Sequence, residues 1–181
     1  MAGRLVLVVG PSGAGKDTLM NAAREALAGD PRFHFVRRVI TREAVAGLED
    51  HETLSVEAFT AARALGAFAL SWEAHGLHYG LPAAIDSELG AGHVVVANGS
   101  RRMVTDALSR YPDAQIVLVD ADPEIRAARL AGRGREDLAA VRERLAREAM
   151  LPAGLNVTRI DNSGVLSGSV AAFVKALRRA S

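Results

Sequence analysis

The stretch "GPSGAGKDTL", residues 10–19, follows the apolar run Arg4–Val9 and opens a segment, Asp17–Leu27, whose apolar residues recur at helical spacing. Gly10, Gly15 and Lys16 satisfy the phosphate-loop pattern G-x-x-x-x-G-K-[ST] at every position but the last, where Asp17 stands in place of a hydroxyl. The expected strand–loop–helix setting is the one this pattern requires. A glycine-rich turn lets backbone N–H groups face phosphate oxygens, the helix adds the positive end of its dipole, and the lysine reaches the terminal phosphates. Spacing and setting agree independently, which a chance glycine turn would not give. Residues Gly10, Pro11, Ser12, Gly13, Ala14, Gly15, Lys16, Asp17 and Thr18 are therefore expected to hold a nucleoside triphosphate.

Outward from the loop, the apolar runs "VVVAN" from Val94, "QIVLVD" from Gln115 and "LNVTRI" from Leu155 alternate with helical patterns at about 101–110, 122–131, 137–149 and 165–179. Such alternation predicts an α/β fold, a P-loop NTPase-type parallel sheet with helices on both faces. Two stretches break the rhythm. Between about Phe33 and Gly92 the strand-like pieces are shorter and more polar, around "FHFVRRVITR" and "FALSWEAHGLHYG", with a helix expected from Ser55 to Leu65; this reads as a substrate-binding insertion. From Arg129, "RLAGRGRED" packs three arginines and two glycines between helices, the composition of a cover that closes over phosphates, at about 129–137. The core is then 1–32 and 93–181, within a single domain of 181 residues.

Composition narrows the classes. A formal net charge of +1 argues against a general nucleic-acid binder. All but two of the 22 basic residues are arginine, the exceptions being Lys16 and Lys175, so an individual arginine needs a positional argument. With no cysteine there is no disulfide, thiolate metal site or cysteine nucleophile. Residues Leu5–Val9 are too few to span a bilayer and lead directly into the glycine loop, so a cytoplasmic protein without a membrane partner is expected. The five histidines show no ligand spacing that would make a structural metal site.

In matching order along nearly the whole chain, "GPSGAGKDTL", the arginines of "RRVITR", "HGLHYG", and "RLAGRGRE" followed by "VRERL" resemble the guanylate-kinase-like enzymes. Within that group the G-K-D loop, "ITR", "LSW" and "NGSR" are most similar to the ribose 1,5-bisphosphate phosphokinases of phosphonate utilisation. The resemblance implies a guanylate-kinase-like fold with an acceptor-binding insertion and an Arg-rich lid. It also implies ATP and Mg2+ as cofactors, ribose 1,5-bisphosphate as small-molecule partner, and 5-phosphoribosyl 1-diphosphate as product, in a monomer or homodimer.

It assigns roles residue by residue. Arg38, Arg42 and Tyr79 would bind the acceptor phosphate. Arg133 and Arg144 would join Lys16 in stabilising charge on the migrating phosphoryl group, with Arg129 on the nucleotide. Asn98, Ser100 and Arg101, at the carboxyl end of an expected strand, lie where open α/β sheets bind ligands. Apart from the resemblance, Asp17 has two readings: a negative charge at a helix N-terminus, or, with Thr18 beside it, a support for magnesium through its water shell, since Asn98 stands where phosphate-loop enzymes often place a metal-supporting carboxylate.

Two alternatives stay open. In true guanylate kinases a glutamate reads the guanine edge. Its match here falls on Leu70 or Ser71, and the later strand ends "VVANGSR" without the second acid. A register shift would let Glu73 substitute and restore guanylate kinase activity. Guanylate-kinase-like folds also serve as protein-binding modules without turnover, but such modules usually lose the phosphate loop.

Overall fold

A computed structural model describes residues 3–42, 51–74, 76–132 and 151–181. Strand β1 (Arg4–Val9) is central in a five-stranded parallel sheet with β2 (Phe33–Phe35), β7 (Val94–Asn98), β8 (Gln115–Asp120) and β9 (Val157–Asp161), in the order β2-β7-β1-β8-β9. The register sets Val8 against Asn98 and Val9 against Leu118, so the ends of β1, β7 and β8 lie side by side at the carboxyl edge.

The unbroken apolar run of β1 follows from burial on both faces. Leu5, Leu7 and Val9 pack with Val95, Ala97, Ile116 and Leu118, and with Val104 and Ala107 of helix α4 (Val104–Arg110). Val6 and Val8 pack on the opposite face with Leu19, Met20 and Ala23 of α1 (Lys16–Ala26), and with Phe173 and Leu177 of α6 (Leu166–Arg178). Burial stabilises by about 1.5–3 kcal/mol for each large apolar side chain. This core therefore anchors the edge from which the loops project.

A second sheet, in the order β4-β3-β6-β5, comprises β3 (Val39–Ile40), β4 (Glu52–Thr53) and the antiparallel hairpin β5 (Phe68–Ala74) and β6 (Leu77–Pro82). Helix α2 (Val56–Ala64) begins where Ser55 accepts a hydrogen bond from the Ala58 N–H at 3.1 Å, a local N-cap. Its Phe59 stacks on Phe68 and His78. The other side of the hairpin, through Leu70 and Leu81, joins the core layer that carries α4.

The mixture of parallel sheet and covering helices agrees with the expected α/β class. Strand Phe33–Phe35, which the sequence groups with the insertion, pairs in parallel with β7 inside the core sheet. The last strand runs two residues later than "LNVTRI" suggests at its start, because Leu155 packs on the core from the preceding loop. Helix α3 (Ile85–Gly90) has no counterpart among the expected elements: one turn and a half with a single buried residue, Ile85, leaves no periodicity to see. Helix α5 (Pro123–Ala131) matches the expected 122–131, with Asp122 capping the Glu124 N–H at 2.9 Å and Pro123 in its first turn. The expected helix at 137–149 and most of the lid at 129–137 lie outside the described residues. Among those described, no helix is long and apolar enough to cross a membrane.

Candidate active site

The loop between β1 and α1 is shaped by glycines in conformations and spaces that a side chain would not accept. Gly10 has φ 153°, and a Cβ there would stand 2.0 Å from the Val119 carbonyl oxygen of β8. Gly15, left-handed at φ 88°, caps α1, and a Cβ would meet Asn162 Nδ2 at 2.4 Å. Lys16 Nζ donates to the carbonyls of Gly10 at 2.9 Å and Pro11 at 3.2 Å, which holds the ammonium over the loop.

Behind the loop stand two residues from distant segments. Asn162, just past β9 and 2% exposed, donates from Nδ2 to the Ala14 carbonyl at 2.8 Å. Its own carbonyl accepts from Arg129 Nη2 at 2.9 Å, and Arg129 Nη1 donates to the carbonyls of Gly13 and Ala14 at 3.4 and 3.5 Å. Arg129, expected on the nucleotide, lies against the loop, and its contacts hold backbone carbonyls. Asn162 is absent from the sequence reading. Its signal was its place in "DNSG", directly after a strand that ends at the carboxyl edge.

Asp17, in the first turn of α1, accepts from Asn98 Nδ2 at 2.7 Å. Successive residues of β7 alternate between the two faces, and Asn98 shares the α1 face with Val94 and Val96, which is why a residue 81 positions away in sequence reaches Asp17. An anionic carboxylate accepts hydrogen bonds only, so it fixes the orientation of the amide. Among the described residues Asn98 Oδ1 is buried without a hydrogen-bond partner. Thr18 is exposed.

Next to the small sheet, Arg38 Nη1 lies 3.5 Å from the Asn98 backbone carbonyl, and its guanidinium carbon is 5.0 Å from the centre of the buried Tyr79 ring. Arg42 ends this segment. Its carbonyl accepts from Thr53 Oγ1 at 3.0 Å and is hydrogen-bonded to His51 Nε2 at 3.2 Å, while its buried Nε has no hydrogen-bond partner among the described residues. Ser100 caps the 3-10 turn Arg101–Met103 by accepting from the Arg102 N–H at 3.3 Å, so that hydroxyl is engaged in the turn, and Arg101 is half-buried in it. The structure thus gathers residues 10–17, Asn98, Arg129, Arg38 and Tyr79 into one connected edge. Arg133 and Arg144 lie outside the described residues.

The hairpin shows where guanine readers would have to stand. Leu70 is 8% exposed and packed in the core. Glu73 is exposed and in register with His78, whose ring stacks on Phe59 of α2; Trp72 pairs with Tyr79 on the opposite face. Glu73 is therefore turned away from Tyr79 and Arg38.

No family model matches the chain. Ribose 1,5-bisphosphate phosphokinase PhnN of Brucella melitensis is 51% identical over 173 residues, covering 95% of this chain and 90% of that protein. Its namesake in Agrobacterium fabrum is 44% identical over 176 residues, covering 97% and 96%, and that of Methylobacterium radiotolerans 48% identical over 178 residues, covering 98% and 99%. Among solved structures, guanylate kinase from Anaplasma phagocytophilum superposes with a TM-score of 0.71 at 16% identity, covering 97% of this chain and 85% of that one. A gluconokinase from Sinorhizobium meliloti gives 0.55 at 18% identity, covering 98% and 93%. At such identities the structural likeness speaks for the fold alone, a P-loop kinase fold, whereas the curated relatives decide the family: the chain belongs to the ribose 1,5-bisphosphate phosphokinase PhnN family.

Proposed function

We propose that the chain is a kinase that transfers the terminal phosphoryl group of ATP to ribose 1,5-bisphosphate, giving 5-phosphoribosyl 1-diphosphate and ADP, within a single domain whose acceptor-binding part follows the core strand Phe33–Phe35 and runs to about residue 92. The observation that carries the choice of acceptor is the hairpin. Where a guanine-reading acid would be needed, Leu70 is buried in apolar core and Glu73 faces α2. A site with no buried polar partner for the base edge cannot favour it strongly.

An acceptor phosphate is already anionic near neutral pH, its second pKa being about 6, so no general base is required. What remains is to align donor and acceptor and to stabilise charge. The loop N–H groups and Lys16 hold the donor phosphates, with Arg129 fixing the loop from behind. Arg38 and Arg42 grip the acceptor phosphate, and the buried, unpartnered Arg42 Nε supports that role because an anion would satisfy it. Arg133 and Arg144 neutralise charge on the group in transit. Asn98, Ser100 and Arg101 line the edge between the two substrates.

Magnesium fits the donor set near the loop. Asp17 is a hard oxygen donor beside the phosphate cradle, and the orphaned Asn98 Oδ1 next to it suits a proton from a metal-bound water. An ion of this kind is usually held by one or two carboxylates together with substrate phosphates and water, so a single carboxylate beside the loop is a sufficient protein contribution. When bound, it would neutralise phosphate charge, with Asp17 and Thr18 orienting its water shell.

The test is a substrate comparison. With ATP, ribose 1,5-bisphosphate should show a kcat/KM at least about tenfold above that for GMP, roughly 1.4 kcal/mol in transition-state binding. Comparable efficiencies would make the protein a guanylate kinase.

A further inference from the structure

The sequence contains one tryptophan, Trp72, and it stands half-buried in β5. Its indole lies nearly parallel to the Tyr79 ring, 7° between planes and 5.3 Å between centres. This contact follows from the β5–β6 register, which sets Trp72 directly opposite Tyr79. In the sheet, β6 lies between β5 and β3. Trp72 therefore approaches Tyr79 from the β5 side, and Arg38, immediately before β3, approaches from the other, its guanidinium carbon 5.0 Å from the ring centre. The far end of the same guanidinium reaches the Asn98 carbonyl at 3.5 Å.

Three planar groups in series, closed by one backbone carbonyl, restrict the orientation of an otherwise flexible side chain. That restriction matters for a planar fork. Arginine receives a phosphate with two N–H groups at once only when its plane is aligned, and a side chain already held in that plane loses less freedom on binding. The buried Tyr79 ring lies between Trp72 and Arg38 in this series, so a change in its support at Trp72 passes to the guanidinium.

We propose that Trp72 is a positioning residue for the acceptor: through Tyr79 it holds the Arg38 guanidinium in the plane that receives the acceptor phosphate. This rests on the reading of Arg38 as an acceptor-phosphate residue. A role in positioning moves the acceptor KM and leaves the handling of ATP alone. A role confined to holding the hairpin together would not depend on Arg38.

The experiment is steady-state kinetics of the full chain carrying Trp72→Leu or Trp72→Phe, each in the native and in the Arg38→Ala background, with ATP and ribose 1,5-bisphosphate. Trp72→Leu should raise the acceptor KM about tenfold while kcat and the ATP KM stay within about twofold, since pre-organisation acts on binding. Trp72→Phe, which keeps a planar ring, should remain within about threefold of the native KM, and in the Arg38→Ala background Trp72→Leu should add less than about twofold. The proposal is overturned if Trp72→Leu acts as strongly without Arg38, if it raises the ATP KM equally, or if Trp72→Phe is as impaired as Trp72→Leu. Should Trp72→Leu fail to fold, Trp72→Met, which fills the space without a ring, is read against the same criteria. If the native protein uses GMP and not ribose 1,5-bisphosphate, the proposed acceptor is wrong, and the same cycle with GMP still decides the role of Trp72.

Discussion

Asp17 is where the chain departs from the phosphate-loop pattern, and two physical roles compete for it. A carboxylate in the first turn of a helix stabilises it by ~0.3–1 kcal/mol through the dipole. An anion beside a triphosphate, however, repels it unless a cation lies between. The contact with Asn98 allows the two to be separated. Asp17→Asn keeps an oxygen to accept from Asn98 Nδ2 and removes only the charge. In that variant the half-saturating magnesium concentration should rise several-fold and kcat should fall, with the fold retained, as a magnesium titration of the rate and a thermal melt would show. Asp17→Ser, which restores the general motif, should recover only part of the loss. An unchanged magnesium titration with a lower melting temperature would assign Asp17 to the helix end alone.

The elements that carry the loop differ in how well local sequence announces them. Strands β1, β7 and β8 are unbroken apolar runs because both faces are buried, and α2 and α5 carry their caps, Ser55 and Asp122, in place. By contrast β3 and β4 are two residues each and exist through their ladder, Val39 with Glu52 and Gly80, so no periodicity could mark them. Arg38 and Arg42 drew notice through the family pattern alone. The planar series Trp72–Tyr79–Arg38 did not, since it depends on the order of strands in a sheet. Asn162 was hidden for the same reason: its partner Ala14 lies 148 residues away. It links the end of β9 to the loop, and removing its amide leaves a carbonyl beside the nucleotide site without that donor. Asn162→Ala should lower thermal stability by about 1–3 kcal/mol, the usual result of stripping a buried hydrogen bond, and raise the ATP KM more than the acceptor KM. Equal changes in both constants would point to general loosening instead.

Across the whole molecule, the proposed function assigns donor and acceptor to different parts: the loop and core sheet for one, the small sheet with Arg38 and Tyr79 for the other. Mutant kinetics should divide in the same way. Arg133→Ala should lower kcat by about 100-fold or more, roughly 3 kcal/mol, with ATP affinity nearly unchanged, because an arginine aimed at the migrating group acts mainly in the transition state. Arg38→Ala should instead raise the acceptor KM. Identical kinetic signatures in the two variants would remove this division of labour. The strand order β2-β7-β1-β8-β9 has a further consequence, for the birth of the chain. Strand β1 is made before both strands that flank it, residues 94–98 and 115–120, and before α6, which covers one of its faces. While the ribosome is still at work, the segment RLVLVV therefore waits with both edges unpaired, as a sticky ribbon. The loop that follows this ribbon cannot take its final shape until Asn162 arrives to hold the Ala14 carbonyl, so the order of synthesis leaves the phosphate cradle among the later parts of the fold to be completed.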